Sequence, residues 1–270
     1  MSRCGAVIAL LVSATAFPLP ATPGATGPGG GVRPALGAVA TSPAQGQAPV
    51  SPVCRSTPGE TGAARAYDEL TEDQRRVFDD GGQVFVRRDI AGLPWPAVDV
   101  YQYIDARPEQ AAAVFFDYGL HRTYIPGVRQ SRVSAIVDPL TVEVDYVVSV
   151  PVVSDERYTV RNHLCTYHGG ASYGVDWTLV RASSTKATIG QVRFEQHVDA
   201  RRGKRGTVMA YSNFVTPGSR LAHLGVVKTR ATEQMRETAW AIVRRVEAEQ
   251  ATDRALLEKQ VGALRTALEP

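Results

Sequence analysis

Four polar side chains have the types and positions to move a proton or to orient a bound molecule: His121, Arg157, Glu195 and His197. Glu195 and His197 stand two apart in the run 187–200, whose alternation predicts a strand, so they share one face. Arg193 is on that face too. A carboxylate beside an imidazole makes an acid–base pair if the face lines a cavity. Phe194, Gln196 and Val198 take the other face. If the apolar set looks inward, Glu195 and His197 look at water, and alternation favours that reading. Arg157 follows Asp155-Glu156, and a structural salt bridge is its expected role because an isolated buried charge is expensive. His163 and Cys165 share a strand face, but His168 falls at or beyond the turn and no fourth ligand has suitable spacing. No metal site is expected. The chain has no Gly-x-Ser-x-Gly elbow, no phosphate-cradling glycine loop and no paired-carboxylate signature. No catalytic residue is assigned and no cofactor is expected.

A binding module needs less: apolar walls, one or two polar groups and a part that moves. The candidate wall residues are Val144, Tyr146, Val148, Trp177, Phe194, Tyr211, Met235 and Ile242. Each is equally an ordinary core residue, the default for apolar positions at the right period.

The elements that must position these residues follow from periodicity. Thr71 with Glu72-Asp73 predicts a helix start, running to about Asp80. Strands are expected at 83–89 and from Val98 to Asp105. Pro108 sits in the first turn of an apolar helix ending near Tyr118-Gly119. A loop follows, His121 to Gly127, with a Pro126-Gly127 turn. Strand-like runs come at 129–137, 140–150, 157–167, 174–181, 187–200 and 206–216. From about Ser219 an amphipathic helix places Leu221, Leu224, Ala231, Met235, Ala239, Ile242 and Val246 on one stripe. Leu257, Val261, Leu264 and Leu268 continue a stripe that extends the helix, packs on the domain or pairs with a second chain. The order implies an α+β fold. A curved antiparallel sheet is closed by a long C-terminal helix over its concave face. Such a sheet cannot fill its own hollow, so a cavity for a hydrophobic molecule is expected.

The ends of the chain are different material. Arg3, an apolar run from Cys4 to Val12 and the small residues Ala14-Thr15-Ala16 follow the order of an export signal. Cleavage is expected near Ala16 or Ala21. Between Phe17 and Glu60 lie nine of the chain's 17 prolines, eight glycines and three charges. That composition predicts a flexible tether. Removal of the signal leaves Cys54 and Cys165, two free thiols or one disulfide. The net charge of +3 is small. The cluster Arg201-Arg202-Gly203-Lys204-Arg205 sits at an expected hairpin turn, solvated or touching an anionic membrane surface. Nothing resembles a nucleic-acid motif.

The layout, with the residues that fill it, resembles the START-like branch of the helix-grip superfamily, which is related to polyketide cyclases and aromatases. The residues carrying the likeness are Gly82 to Arg87, Ile104 to Glu109, Phe116-Asp117-Tyr118, and Tyr124-Ile125-Pro126-Gly127-Val128. Val150 to Tyr158, Gly206 to Tyr211 and Pro217-Gly218-Ser219 complete the set. One departure is Tyr124-Ile125-Pro126, where the family often has tryptophan before the proline. The resemblance implies an internal cavity for a lipid, sterol or aromatic polyketide. The expected organisation is a signal peptide at 1–21, a Pro/Gly-rich linker at 22–65, the ligand-binding domain at 66–250 and a helical extension at 251–270. The expected role is binding or transfer of a hydrophobic molecule, outside the cytoplasm in a periplasmic or extracellular setting. A cyclase-like enzyme and a non-catalytic envelope interaction protein are the rivals. The oligomeric state is not legible.

Overall fold

The computed structural model describes residues 54, 65–93, 95–149, 155–199, 203–218 and 225–269. The expected signal at 1–21, all of the tether but Cys54 and Arg65, and the helix start near Ser219 lie outside the described residues. So do Arg201 and Arg202 of the basic turn.

Thr71 opens the first helix. Its hydroxyl accepts from the Gln74 N–H, and the Gln74 side chain accepts from the Thr71 N–H. Two donors that the helix start would leave unpaired are thereby satisfied. Helix α1 runs Glu72–Asp79. Strands β1 (Val84–Arg88) and β2 (Ala97–Ile104) pair antiparallel. Helix α2 (Pro108–Phe116) buries Ala111 to Phe115.

The segment expected as a loop from His121 is largely helical instead. A single 3-10 turn at Tyr118–Leu120 leads into the short α3, His121–Tyr124. Tyr118 and His121, three apart, both turn inward, and their rings meet edge-on at 5.3 Å. Burial of these two side chains overrides the polar look of the segment. Pro126-Gly127 does make the expected turn, with Gly127 at a φ of 79°, where a Cβ would be strained.

Six long strands follow: β3 (Val128–Asp138), β4 (Thr141–Val148), β5 (Glu156–Tyr167), β6 (Ser172–Ala182), β7 (Ala187–Asp199) and β8 (Lys204–Thr216). All eight strands form one curved sheet in the order β1-β2-β8-β7-β6-β5-β4-β3, every neighbour antiparallel. Helix α4 (Gly225–Thr252) lies on the concave side.

Alternation decides which residues face α4. Val144, Leu164, Val175, Phe194 and Met209 point into the concave core with the α2 alanines and with Ala239, Ile242 and Val246 of α4. Part of the opposite face is also covered. There Ala66, Leu70 and Phe78 pack on Tyr101, Val208 and Ala210.

The C-terminal stripe is a separate helix, α5 (Arg254–Leu268). Asp253 breaks the run, and its side chain caps α5 by accepting from the Leu256 N–H. Leu257, Val261 and Leu264 join the same core as α2. Arg265 pairs with Glu109 of α2 at 2.6 Å. Of the three fates open to this stripe, packing on its own domain is the one observed.

Cys54 is bonded to Cys165, with their Cα atoms 5.5 Å apart. The Cys54 N–H donates to Asp176 at 2.8 Å. Since Leu164 points into the concave core, Cys165 beside it points the other way. The disulfide therefore pins the chain to the convex face.

Candidate functional site

A cavity of about 430 Å³ lies between the concave face and the N-terminal half of α4. Six aromatic rings line it in unbroken contact. Tyr158 meets Tyr146 at 5.5 Å, Tyr146 stacks on His121 at 6.0 Å, and His121 meets Phe115 at 5.0 Å. Phe115 then meets Trp177 at 6.3 Å, and Trp177 meets Tyr211 at 5.5 Å. The arc draws on β5, β4, α3, α2, β6 and β8, so no single element could supply it.

Of the wall residues expected from the sequence, Tyr146, Val148, Trp177, Tyr211 and Met235 line the cavity. Val144, Phe194 and Ile242 do not. They share the inward face but are fully buried, Phe194 against Phe115 at 6.1 Å. Alternation gives a residue's face but not its depth, and α2 fills the hollow at their level. Among the lining residues missed are Trp95, Phe115, Tyr158, Val160, Asn162 and Asn213, together with Ile125, Pro126 and Val128 around the turn. Tyr158, Val160 and Asn162 sit at alternate positions of β5, a signal that was present. Phe115 gave none, because its helix is apolar all round.

The four polar candidates are not brought together. Only His121 reaches the cavity. Its Nε2–H donates to the Phe115 carbonyl at 2.8 Å, so its Nδ1 accepts from the Tyr146 hydroxyl, also at 2.8 Å. Burial lowers its pKa to about 4, against a smaller opposing effect of the Phe115 carbonyl. The ring is a neutral strut at neutral pH.

Glu195 and His197 lie on the convex face, as parity requires, but neither looks at open water. Glu195 is 3% exposed and accepts from the Ala66 N–H and the Tyr167 hydroxyl. Arg193 stands 3.6 Å from it and pairs with Glu69. His197 packs on Tyr67 at 4.6 Å and Phe78 at 5.5 Å. The N-terminal segment covers both residues, and strand alternation carries no sign of such a cover. They form no acid–base pair at the cavity wall.

Arg157 is exposed, and among the described residues it makes no ion pair. Asp155 pairs with Arg129 instead, at 3.2 Å. Tyr158 turns to the cavity, so Arg157 beside it must turn away. His163 bonds Thr141 at 2.8 Å, His168 sits by Ser172, and Cys165 is held in the disulfide.

The charged groups of the cavity lie at its rim. Glu156 accepts from the Ser184 and Thr185 N–H groups and from the Ser184 hydroxyl. Burial works to raise its pKa, but those bonds prevail and hold it below the ordinary carboxylate value. Arg230 of α4 pairs with Glu237 one face along at 3.0 Å. Gln234 of α4 donates to the Pro126 carbonyl at 2.9 Å, clasping the helix to the turn below.

This arrangement has counterparts of known structure. A STAR-related lipid transfer protein fragment from Xanthomonas axonopodis superposes with a TM-score of 0.53 at 16% identity. The match covers 62% of this chain and 94% of the other. Human STARD10 gives 0.54 at 13% identity, covering 70% and 79%. Human StAR-related lipid transfer protein 5 gives 0.52 at 11%, covering 63% and 84%. The fold is the START-like helix-grip. No family's sequence profile matches this chain. No curated protein matches it in sequence.

Proposed function

We propose that this START-like chain binds a hydrophobic molecule in the cavity under α4 and carries it between surfaces outside the cytoplasm. The observation that carries the reading is the hollow itself: about 430 Å³, walled by six contiguous aromatic rings and by valines. A void of that size with apolar walls loses dispersion contacts when empty. It gains about 0.8 kcal/mol for each methylene it shields from water. The lipid-transfer names of two of the superposable structures support the same reading. The N-terminal export pattern and the Cys54–Cys165 bond support an oxidising compartment beyond the cytoplasm. Loading requires movement of α4 or of the 118–128 segment, which Gln234 and Pro126 hold together. Transient contact with a membrane surface at the cavity rim is part of this proposal.

The test is native mass spectrometry and organic extraction of the purified protein, followed by uptake of radiolabelled fatty acid, sterol and phospholipid. A stoichiometric co-purified or captured ligand is expected. Absence of any bound or captured molecule overturns the reading.

A further inference from the structure

Of the four polar candidates, Arg157 alone is neither in the cavity nor under a cover. It is exposed and makes no ion pair among the described residues. The strand registers show what surrounds it. Val148 lines the cavity, so Val147 beside it faces the convex side. Val147 is the register partner of Gln130 on β3 and of Arg157 on β5. The next row on that face runs Arg132–Asp145–Thr159–Arg181 across β3, β4, β5 and β6. Arg132, Arg157 and Arg181 border one shallow hollow, with the buried Val147 and Thr159 between them.

The row is fixed by hydrogen bonds. The Asp145 carboxylate accepts from the Thr159 hydroxyl at 2.6 Å, from Arg181 at 3.0 Å and from Arg132 at 3.3 Å. Two guanidinium groups are thus steered to one carboxylate, each through one nitrogen, and each keeps further N–H donors. Around the hollow, three positive charges face one negative charge, that of Asp145. The flanking ion pairs are self-contained and do not change that surplus. Arg161 holds Glu143 at 2.6 Å, and Arg129 holds Asp155 at 3.2 Å. A surplus of two charges matches a dianion. Planar forks arriving from three sides suit an anion with several equivalent oxygens. A phosphate monoester has both properties, with a charge near −2 and three acceptor oxygens. A carboxylate would leave one positive charge uncompensated.

We infer that this convex hollow binds a phosphate group through Arg132, Arg157 and Arg181, either as inorganic phosphate or as the monoester headgroup of a lipid. The site lies on the opposite face of the sheet from the cavity. It goes beyond the ligand-binding reading above and does not depend on it.

The test uses the full chain at low ionic strength, because salt screens exposed charges. Isothermal titration calorimetry with inorganic phosphate should give saturable binding, with acetate binding more weakly. Arg157→Ala should weaken phosphate binding about threefold to fivefold, the upper range for an exposed ion pair. Arg157→Lys keeps the charge but not the fork, and should recover only part of the loss. Arg161→Ala, outside the hollow, should bind phosphate as the wild type does. Co-sedimentation with phosphatidic acid vesicles, against phosphatidylcholine vesicles, separates the two sources. Retention on phosphatidic acid that Arg157→Ala loses assigns the lipid headgroup, and phosphate binding without retention assigns the free ion. Absence of both phosphate binding and vesicle retention overturns the site, as does an Arg157→Ala variant that binds like the wild type. Acetate bound as tightly as phosphate overturns the dianion assignment. Uptake of a hydrophobic ligand by the wild type is measured separately, so the loss of either reading leaves the other standing.

Discussion

The indole of Trp177 lies across Gly190, its register partner on the neighbouring strand β7. A Cβ built on Gly190 would overlap the indole ring. The glycine is therefore what lets Trp177 lie down against the sheet and leave the cavity open. Gly190→Ala should tip the indole into the hollow. The expected cost is about 1–3 kcal/mol of stability together with reduced ligand capacity. Near-UV circular dichroism and tryptophan emission read the ring, and a titration with a bound fluorophore reads the capacity. Unchanged emission and capacity would show that the ring has room elsewhere.

The clasp between Gln234 and Pro126 spans 108 positions of sequence and joins α4 to the turn beneath it. Gln234→Ala should cost only about 1 kcal/mol in stability, the net worth of one hydrogen bond. Ligand exchange should quicken several-fold, because the bond must break each time the helix moves. Stopped-flow release of a preloaded fluorescent ligand measures it.

His121 makes stability depend on pH. Its pKa is about 4 in the folded chain and 6.5 when unperturbed. Between those values the unfolded chain binds a proton that the folded one refuses. The contribution is complete above pH 6.5 and is lost as pH falls towards 4. The difference of 6.5 − 4 = 2.5 units corresponds to about 3 kcal/mol. His197, whose pKa burial also lowers, acts in the same direction. Thermal melts from neutral to acid pH should show the decline. In His121→Gln it should be shallower, even though that variant starts from a lower Tm.

These residues show how far a single sequence reaches. Period-two alternation placed Tyr146, Val148, Trp177 and Tyr211 on the inner face, and all four line the cavity. It placed Val144 and Phe194 there with equal force, and they are packed solid. The distinction is made by α2, whose Phe115 reaches Phe194 from a distant part of the chain. Glu195 repeats the lesson on the other side. Its parity was legible, but the segment that buries it begins 129 positions earlier at Ala66. Long-range cover leaves no local periodic trace. The helical turns at 118–124 were hidden for a similar reason, since the burial of His121 depends on Tyr146, 25 positions on, as well as on the nearby rings of Phe115, Tyr118 and Tyr124.

The disulfide closes a separation of 111 residues. For a loop of that length the loss of unfolded-state entropy is worth at most about 4–5 kcal/mol. Cys54→Ser and Cys165→Ser should each lower the Tm, and the double variant should be no worse than either single one. Differential scanning calorimetry with and without reductant measures this. An unchanged Tm would mean that the unfolded chain is already restrained without the bond.

The two halves of α4 are held unequally. From Ala239 onward the helix is sunk in core shared with α2 and α5, whereas residues from Val226 to Met235 roof the empty space. The first turns are not loose, however: Val227 is buried against Trp95, with Val215 and Ala231 beside them. A beam anchored deeply at one end and latched by a small apolar seam at the other parts at the seam first, so the Val227–Trp95 contact sets how readily the roof lifts.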